Sequence, residues 1–209
     1  MIHDEYYENG FFRTEVDELT KKLLWNEIHS TEWVDDSVDN IYKKIPTWYK
    51  SCFSSFINPD GSNRAKYERI IGQDILNNTP KSLVTLANQL LETPAFEFFK
   101  KYYKSHELKS IDLWNGSEEI NYHYDTINGC DTLVLIYLTE ELDWNQAWGG
   151  TISMKKQVGD KVYFEKEFSP TNGSMMVINN ANPLIFHKVK AMENWNVNRY
   201  TFSFIYKWF

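Results

Sequence analysis

TLVLIYL, residues 132–138, is an unbroken apolar run of β-branched, aromatic and leucine side chains. A strand with one wet face would alternate polar and apolar, so this run reads as a strand covered on both faces. Outward from it lie further short strand candidates: 151–156 (TISMKK), 162–168 (VYFEKEF), 174–180 (SMMVINN), 185–191 (IFHKVKA) and 199–208 (RYTFSFIYKW). Gly149-Gly150, Gly159-Asp160, Asn172-Gly173 and Asn182-Pro183 separate them, and such pairs supply the φ values and fixed dihedrals that turns require. Strands repeated at this spacing predict a sandwich or barrel.

Upstream the period changes. Residues 14–29 carry Val16, Leu19, Leu23, Leu24 and Ile28 at helical spacing. Residues 80–103 read as one or two helices interrupted at Pro94, with Thr79 as cap and Pro80 in the first turn. Pro46, Pro59 and Gly61 break residues 35–63 into loops and short pieces. The expectation is one α+β domain over 1–209, with a helical part, 1–110, packed against a β-rich core, 111–209.

The formal charge of −7 argues against a nucleic-acid partner, since neutralising phosphates needs a basic surface. No apolar run is long enough to span a bilayer. MIHDEYYENGFF lacks the basic start and apolar stretch of a secretory signal. Cys52 and Cys130 form no disulfide framework. The expected location is therefore the cytoplasm, and the sequons at Asn77, Asn115 and Asn172 read as turn chemistry rather than sugar acceptors. Aromatic residues make up 16% of the chain, enough for a large core and for rings lining a cleft.

Histidines are few, which gives NYHYDTINGC (121–130) its interest. On extended chain His123 and Asp125 project from one face, while Tyr122 and Tyr124 point the other way. That pair could hold a metal or form the polar edge of a turn. His187, in the candidate strand 185–191, is the available third ligand. Two histidines and one carboxylate on neighbouring strands suit non-haem Fe(II), although a core histidine bonded to a carbonyl is the plainer reading of His187 alone. Arg199, Thr201, Ser203 and Ile205 share one face of the last strand, and Tyr200, Phe202, Phe204 and Tyr206 the other. An enclosed guanidinium calls for an anion, either a small-molecule carboxylate held bidentately or a protein salt bridge. Solvent exposure on an edge strand is the remaining alternative.

His123-x-Asp125, then His187, then Arg199 in NRYTFSFIYKWF resembles the 2-oxoglutarate and Fe(II)-dependent oxygenases, particularly the prolyl 4-hydroxylase-like group. LIYLTEELDWNQAWGGTISM (135–154) is similar to that group's segment running from a strand ending Tyr-Leu, through Trp-containing turns, to Gly-Gly and another strand. The resemblance covers residues 111–209 and is looser before them. It implies a double-stranded β-helix, that is, a jelly-roll, cupin-like barrel. It implies that His123, Asp125 and His187 hold catalytic Fe(II), and that Arg199, Tyr137 and Thr201 bind 2-oxoglutarate, with Ser203 deeper. O2 would be the co-substrate, and ascorbate a possible reductant.

The substrate class implied is a prolyl residue, another amino acid, a peptide or a small molecule. Asp125 favours hydroxylation over halogenation, since related halogenases replace the metal carboxylate with a small residue. One departure is the lack of the group's usual tyrosine upstream of the histidine–aspartate pair, where Trp114 is the nearest ring. Tyr122, Tyr124, Trp144, Trp148 and Trp195 are candidates for the entrance or for ordinary packing, and residues 33–63 for a lid or a surface loop. Two other readings stay open: a cupin-like enzyme using Zn or Mn, and a non-catalytic jelly-roll binding module.

Overall fold

β11 (Arg199–Trp208) is a central strand, buried along almost its whole length, and the sheet is built outward from it. It pairs antiparallel with β4 (His106–Gly116) on one side and β6 (Thr132–Thr139) on the other. β9 (Ser174–Asn179) and β1 (Phe11–Glu15) extend the sheet beyond β6, while β3 (Lys43–Pro46) and β2 (Trp33–Asp35) extend it beyond β4. The order of this seven-stranded sheet is β1-β9-β6-β11-β4-β3-β2. A second sheet has the order β5-β10-β7-β8, from β5 (Ile120–His123), β10 (Ile185–Val189), β7 (Ile152–Val158) and β8 (Lys161–Phe168). The computed structural model describes residues 4–35, 43–49, 76–117, 119–123, 131–141 and 143–209. Among them every strand pairing is antiparallel.

The period of two sorts the large sheet into two apolar faces. Ile111, Val134, Val177, Phe202 and Phe204 belong to a core shared with α2 (Lys81–Leu90) and α3 (Glu97–Tyr102). Leu133, Leu135, Tyr137, Met176 and Ile205 point the opposite way and meet Ile152, Met154 and Ile185 of the second sheet. Thus 132–138 is apolar throughout because helices cover one face and the second sheet the other. Each fully buried side chain of this kind contributes about 1.5–3 kcal/mol.

Several expectations need correction. The N-terminal part is not purely helical: β1, β2, β3 and the start of β4 all precede residue 111. β4 reads poorly as a strand because Glu107, Lys109 and Asp112 interrupt its apolar residues and a register shift opposite Ile205/Tyr206 breaks the alternation. The helix expected over 14–29 is α1 (Glu18–Ser30), because Asp17 caps it by accepting from Thr20 N at 2.8 Å. Its buried stripe is Thr20, Leu24 and Ile28, and Leu19 is 67% exposed. α2 starts at Lys81 with Pro80, not Thr79, at the N-cap position, and the Leu83 and Val84 N–H groups donate to Pro80 O. Asn172-Gly173 does turn the chain, whereas Asn115-Gly116 ends β4 in paired strand.

Candidate active site

His123 and His187 are register partners on β5 and β10. Opposed residues of an antiparallel pair carry Cβ atoms about 4.5–5.5 Å apart on one face, so the two imidazoles must converge. Their ring centroids lie 4.2 Å apart with an interplanar angle of 55°. His187 is buried, on the face that also carries Ile185 and Val189 toward the interior. His123 Nδ1 lies 2.7 Å from the Asn121 carbonyl, which can only accept. A hydrogen bond there requires the proton on Nδ1, the tautomer of the neutral ring in which Nε2 is the acceptor. Asp125, the third predicted ligand, lies outside the described residues, as do Tyr124, Cys52 and Cys130. Among the described residues no three His, Cys, Asp or Glu side chains gather as a metal site.

Arg199 is 1% exposed, the largest fully buried side chain among the described residues. Both faces of β11 are covered, so neither solvent nor an edge position satisfies its charge. Nη1 donates to Gly116 O at 3.1 Å, and Cζ lies 4.8 Å from the centroid of the Tyr137 ring, a cation–π contact. Among the described residues no carboxylate forms an ion pair with it. Burial lowers its pKa, with the nearby Tyr137 opposing. A guanidinium keeps its proton even so. Burial likewise pushes the Tyr137 phenol up, partly offset by Arg199.

Three buried polar atoms beside one another on this inner face have no hydrogen-bond partner among the described residues: Arg199 Nε, Tyr137 Oη and Thr201 Oγ1. Thr201 opposes Tyr137 across β11 and β6, and Arg199 follows at the same end. Leaving such groups unsatisfied costs about 1–3 kcal/mol each, more for a charge. A carboxylate would satisfy them together, and the donor set fits one. Ser203 is also buried on this face, deeper along β11. His187 lies on the face of β10 that carries Ile185, and Ile185 and Tyr137 belong to one apolar cluster between the sheets.

Other residues were missed by sequence reasoning. Gly150 has φ +65°, and a Cβ there would come within 2.6 Å of Met192 Sδ and 2.9 Å of Arg199 Cδ, so it clears the path of the arginine stem. Asn115 holds the Arg199 backbone, its Oδ1 accepting from Arg199 N at 3.2 Å, and is too buried to accept a sugar. Ser174 adds another buried hydroxyl without a partner among the described residues, on the inward side of β9. Gly-Gly and Asn-Gly signalled turns in the sequence; only the cross-strand neighbours reveal these roles.

The aromatic candidates divide. Trp114 opposes Thr201 and so shares the inner face. Tyr122 lies on the outer face of the second sheet, donating to Glu165 Oε1 at 2.6 Å, with Lys155 Nζ 4.1 Å from its ring centroid. Trp144 and Trp148 pack edge to face at 5.5 Å, with Trp144 Nε1 donating to Gly149 O, whereas Trp195 is half exposed. Of residues 33–63, the described part includes two short strands, β2 and β3, at the edge of the large sheet.

Comparison with solved structures agrees with this architecture. A 2OG-Fe(II) oxygenase-family oxidoreductase from Burkholderia pseudomallei superposes with a TM-score of 0.59 at 13% identity, covering 99% of this chain and 88% of that one. The fold is the one these oxygenases share. A prolyl hydroxylase from Trichoplax adhaerens, in complex with a hypoxia inducible factor peptide fragment, gives 0.55 at 15% identity, covering 99% and 87%. A prolyl-4-hydroxylase from Pseudomonas putida gives 0.51 at 13% identity, covering 99% and 96%. No family model matches the sequence, and no curated protein does.

Proposed function

We propose that the chain is an Fe(II)- and 2-oxoglutarate-dependent dioxygenase. Its two sheets would close as a double-stranded β-helix, and it would hydroxylate a prolyl or other amino-acid or peptide substrate in the cytoplasm. The observation that carries this reading is the buried Arg199 guanidinium, which pairs with no carboxylate among the described residues, taken together with the paired imidazoles of His123 and His187 on the second sheet. A cupin-like enzyme working with another metal, or a binding module, has no use for such a clamp.

In this reading His123, His187 and Asp125 hold the metal. Bound iron with 2-oxoglutarate and O2 supplies the oxidising chemistry, yielding succinate and CO2. The remaining work belongs to the protein. Arg199 neutralises the far carboxylate of the acid, while the Tyr137 and Thr201 hydroxyls donate to it. The bond from His123 Nδ1 to Asn121 O fixes the tautomer that presents Nε2. Apolar neighbours such as Met154 and Ile185 keep water from the space between the sheets. Support for a peptide substrate comes from the Trichoplax adhaerens fold relative, which is itself bound to one.

The test is spectroscopic and chemical. Purified protein mixed anaerobically with Fe(II) and 2-oxoglutarate should develop a weak visible charge-transfer band, and admission of O2 should release succinate. Folded protein that gives neither would sink the reading.

A further inference from the structure

We infer that Asn115 is a positioning residue for the Arg199 clamp, so that recognition of a dicarboxylate depends on it; this rests on the site assignment above. Asn115 is 4% exposed, at the end of β4. Its Oδ1 accepts from Arg199 N at 3.2 Å, and its Nδ2 donates to Asn198 Oδ1 at 2.8 Å. Asn198 Nδ2 in turn donates to Glu140 Oε2 at 3.1 Å. One residue along β4, Gly116 O accepts from Arg199 Nη1 at 3.1 Å. β4 therefore grips Arg199 at both ends, by the backbone through Asn115 and by the guanidinium through Gly116.

The need for such a grip follows from where Arg199 sits. It is the first residue of β11, and strand ends open more readily than strand centres. Its long side chain has much rotamer freedom to lose. A clamp must hold its donors within about 0.5 Å of the working geometry, which a fraying strand end cannot do. The chemistry sets the amide orientation: a backbone N–H only donates, so Oδ1 faces it and Nδ2 is left for Asn198. Aspartate at 115 would keep the acceptor for Arg199 N but face Asn198 Oδ1 with a second oxygen. Alanine would remove both bonds.

The discriminating experiment compares two ligands on the Mn(II)-loaded full chain by anaerobic calorimetry. One is 2-oxoglutarate. The other is 2-oxopentanoate, which has the same chain length and chelating end but no far carboxylate. The wild type should prefer 2-oxoglutarate. Asn115→Ala should lower affinity for 2-oxoglutarate about tenfold while leaving that for 2-oxopentanoate unchanged. Asn115→Asp should not rescue the preference. A folded Asn115→Ala that keeps the wild-type preference, or that loses the same factor for both acids, would overturn the inference, the latter marking a merely structural role. If Asn115→Ala does not fold, Asn198→Ala removes the Nδ2 partner and the bond to Glu140 but leaves Asn115 Oδ1 on Arg199 N, and should shrink the preference about threefold; an unchanged preference there overturns the inference equally. A wild type that binds neither acid refutes the oxygenase reading itself, and this inference with it.

Discussion

Arg199→Met removes the guanidinium and keeps an apolar stem lying against Gly150. Two opposing terms follow. The loss is the Nη1 bond to Gly116 O, which leaves a buried carbonyl at a cost of about 1–3 kcal/mol, and the cation–π contact with Tyr137, worth about 2 kcal/mol at a desolvated site. The gain is release of a charge that is 1% exposed and has no carboxylate partner among the described residues. Burying an ion costs several kcal/mol even after relaxation, and apolar replacements of buried ions are often neutral or stabilising by about 1–4 kcal/mol. Without ligand, the variant should melt at the wild-type temperature or above it, by about 2–4 °C for each kcal/mol at this chain size.

With ligand the ranking reverses. At a free concentration one hundred times Kd, binding stabilises by about 2.7 kcal/mol, or about 5–10 °C for the wild type. Arg199→Met should lose most of that shift. The assay is thermal unfolding of Mn(II)-loaded protein with and without 2-oxoglutarate. An unliganded variant destabilised by more than about 2 kcal/mol would refute the reasoning, because the guanidinium would then have to be compensated within the folded protein.

Thr201→Val removes a buried hydroxyl without a partner among the described residues, so it should hold or raise stability by up to about 1 kcal/mol in denaturant titration while weakening 2-oxoglutarate binding. Gly150→Ala forces a Cβ onto Met192 Sδ and Arg199 Cδ at a positive φ, and chemical denaturation should show a loss of about 1–3 kcal/mol together with weakened dicarboxylate binding. Asp17→Ala should destabilise the protein by about 1 kcal/mol through loss of the α1 cap. The Thr20 backbone N–H bonded to the Asp17 carboxylate lowers its pKa below 3.8, so its contribution is present above that value and fades as pH falls through the lower folded value. The difference between wild type and Asp17→Asn should accordingly change with pH only in strongly acid solution.

The β-rich core was legible because burial writes itself into short periods. A run such as 132–138 has no polar face, so any fold containing it must cover both sides, and the strands of 151–208 are separated by turn residues whose dihedrals few other residues accept. β4 and β1 were not legible, since their pattern is set by neighbours distant in sequence: β4 carries charges and a register shift, and β1 is a strand only because β9 lies beside it. α1 was legible as a helix, but which of its faces is buried was decided by what packs against it.

The site divides in the same way. By itself the sequence determined which residue types could do the chemistry: two histidines with an aspartate at alternating spacing, and an arginine on the polar face of an otherwise aromatic strand. A side chain's donor atoms and charge are local properties, and strand alternation carries them to one face. Only the tertiary structure decided that His123 and His187 are opposed across a ladder, and that Arg199 is enclosed rather than at an edge. It alone showed that Asn115 is buried and holds the arginine backbone instead of turning the chain. Burial and pairing depend on segments far apart in sequence, so no local pattern can encode them.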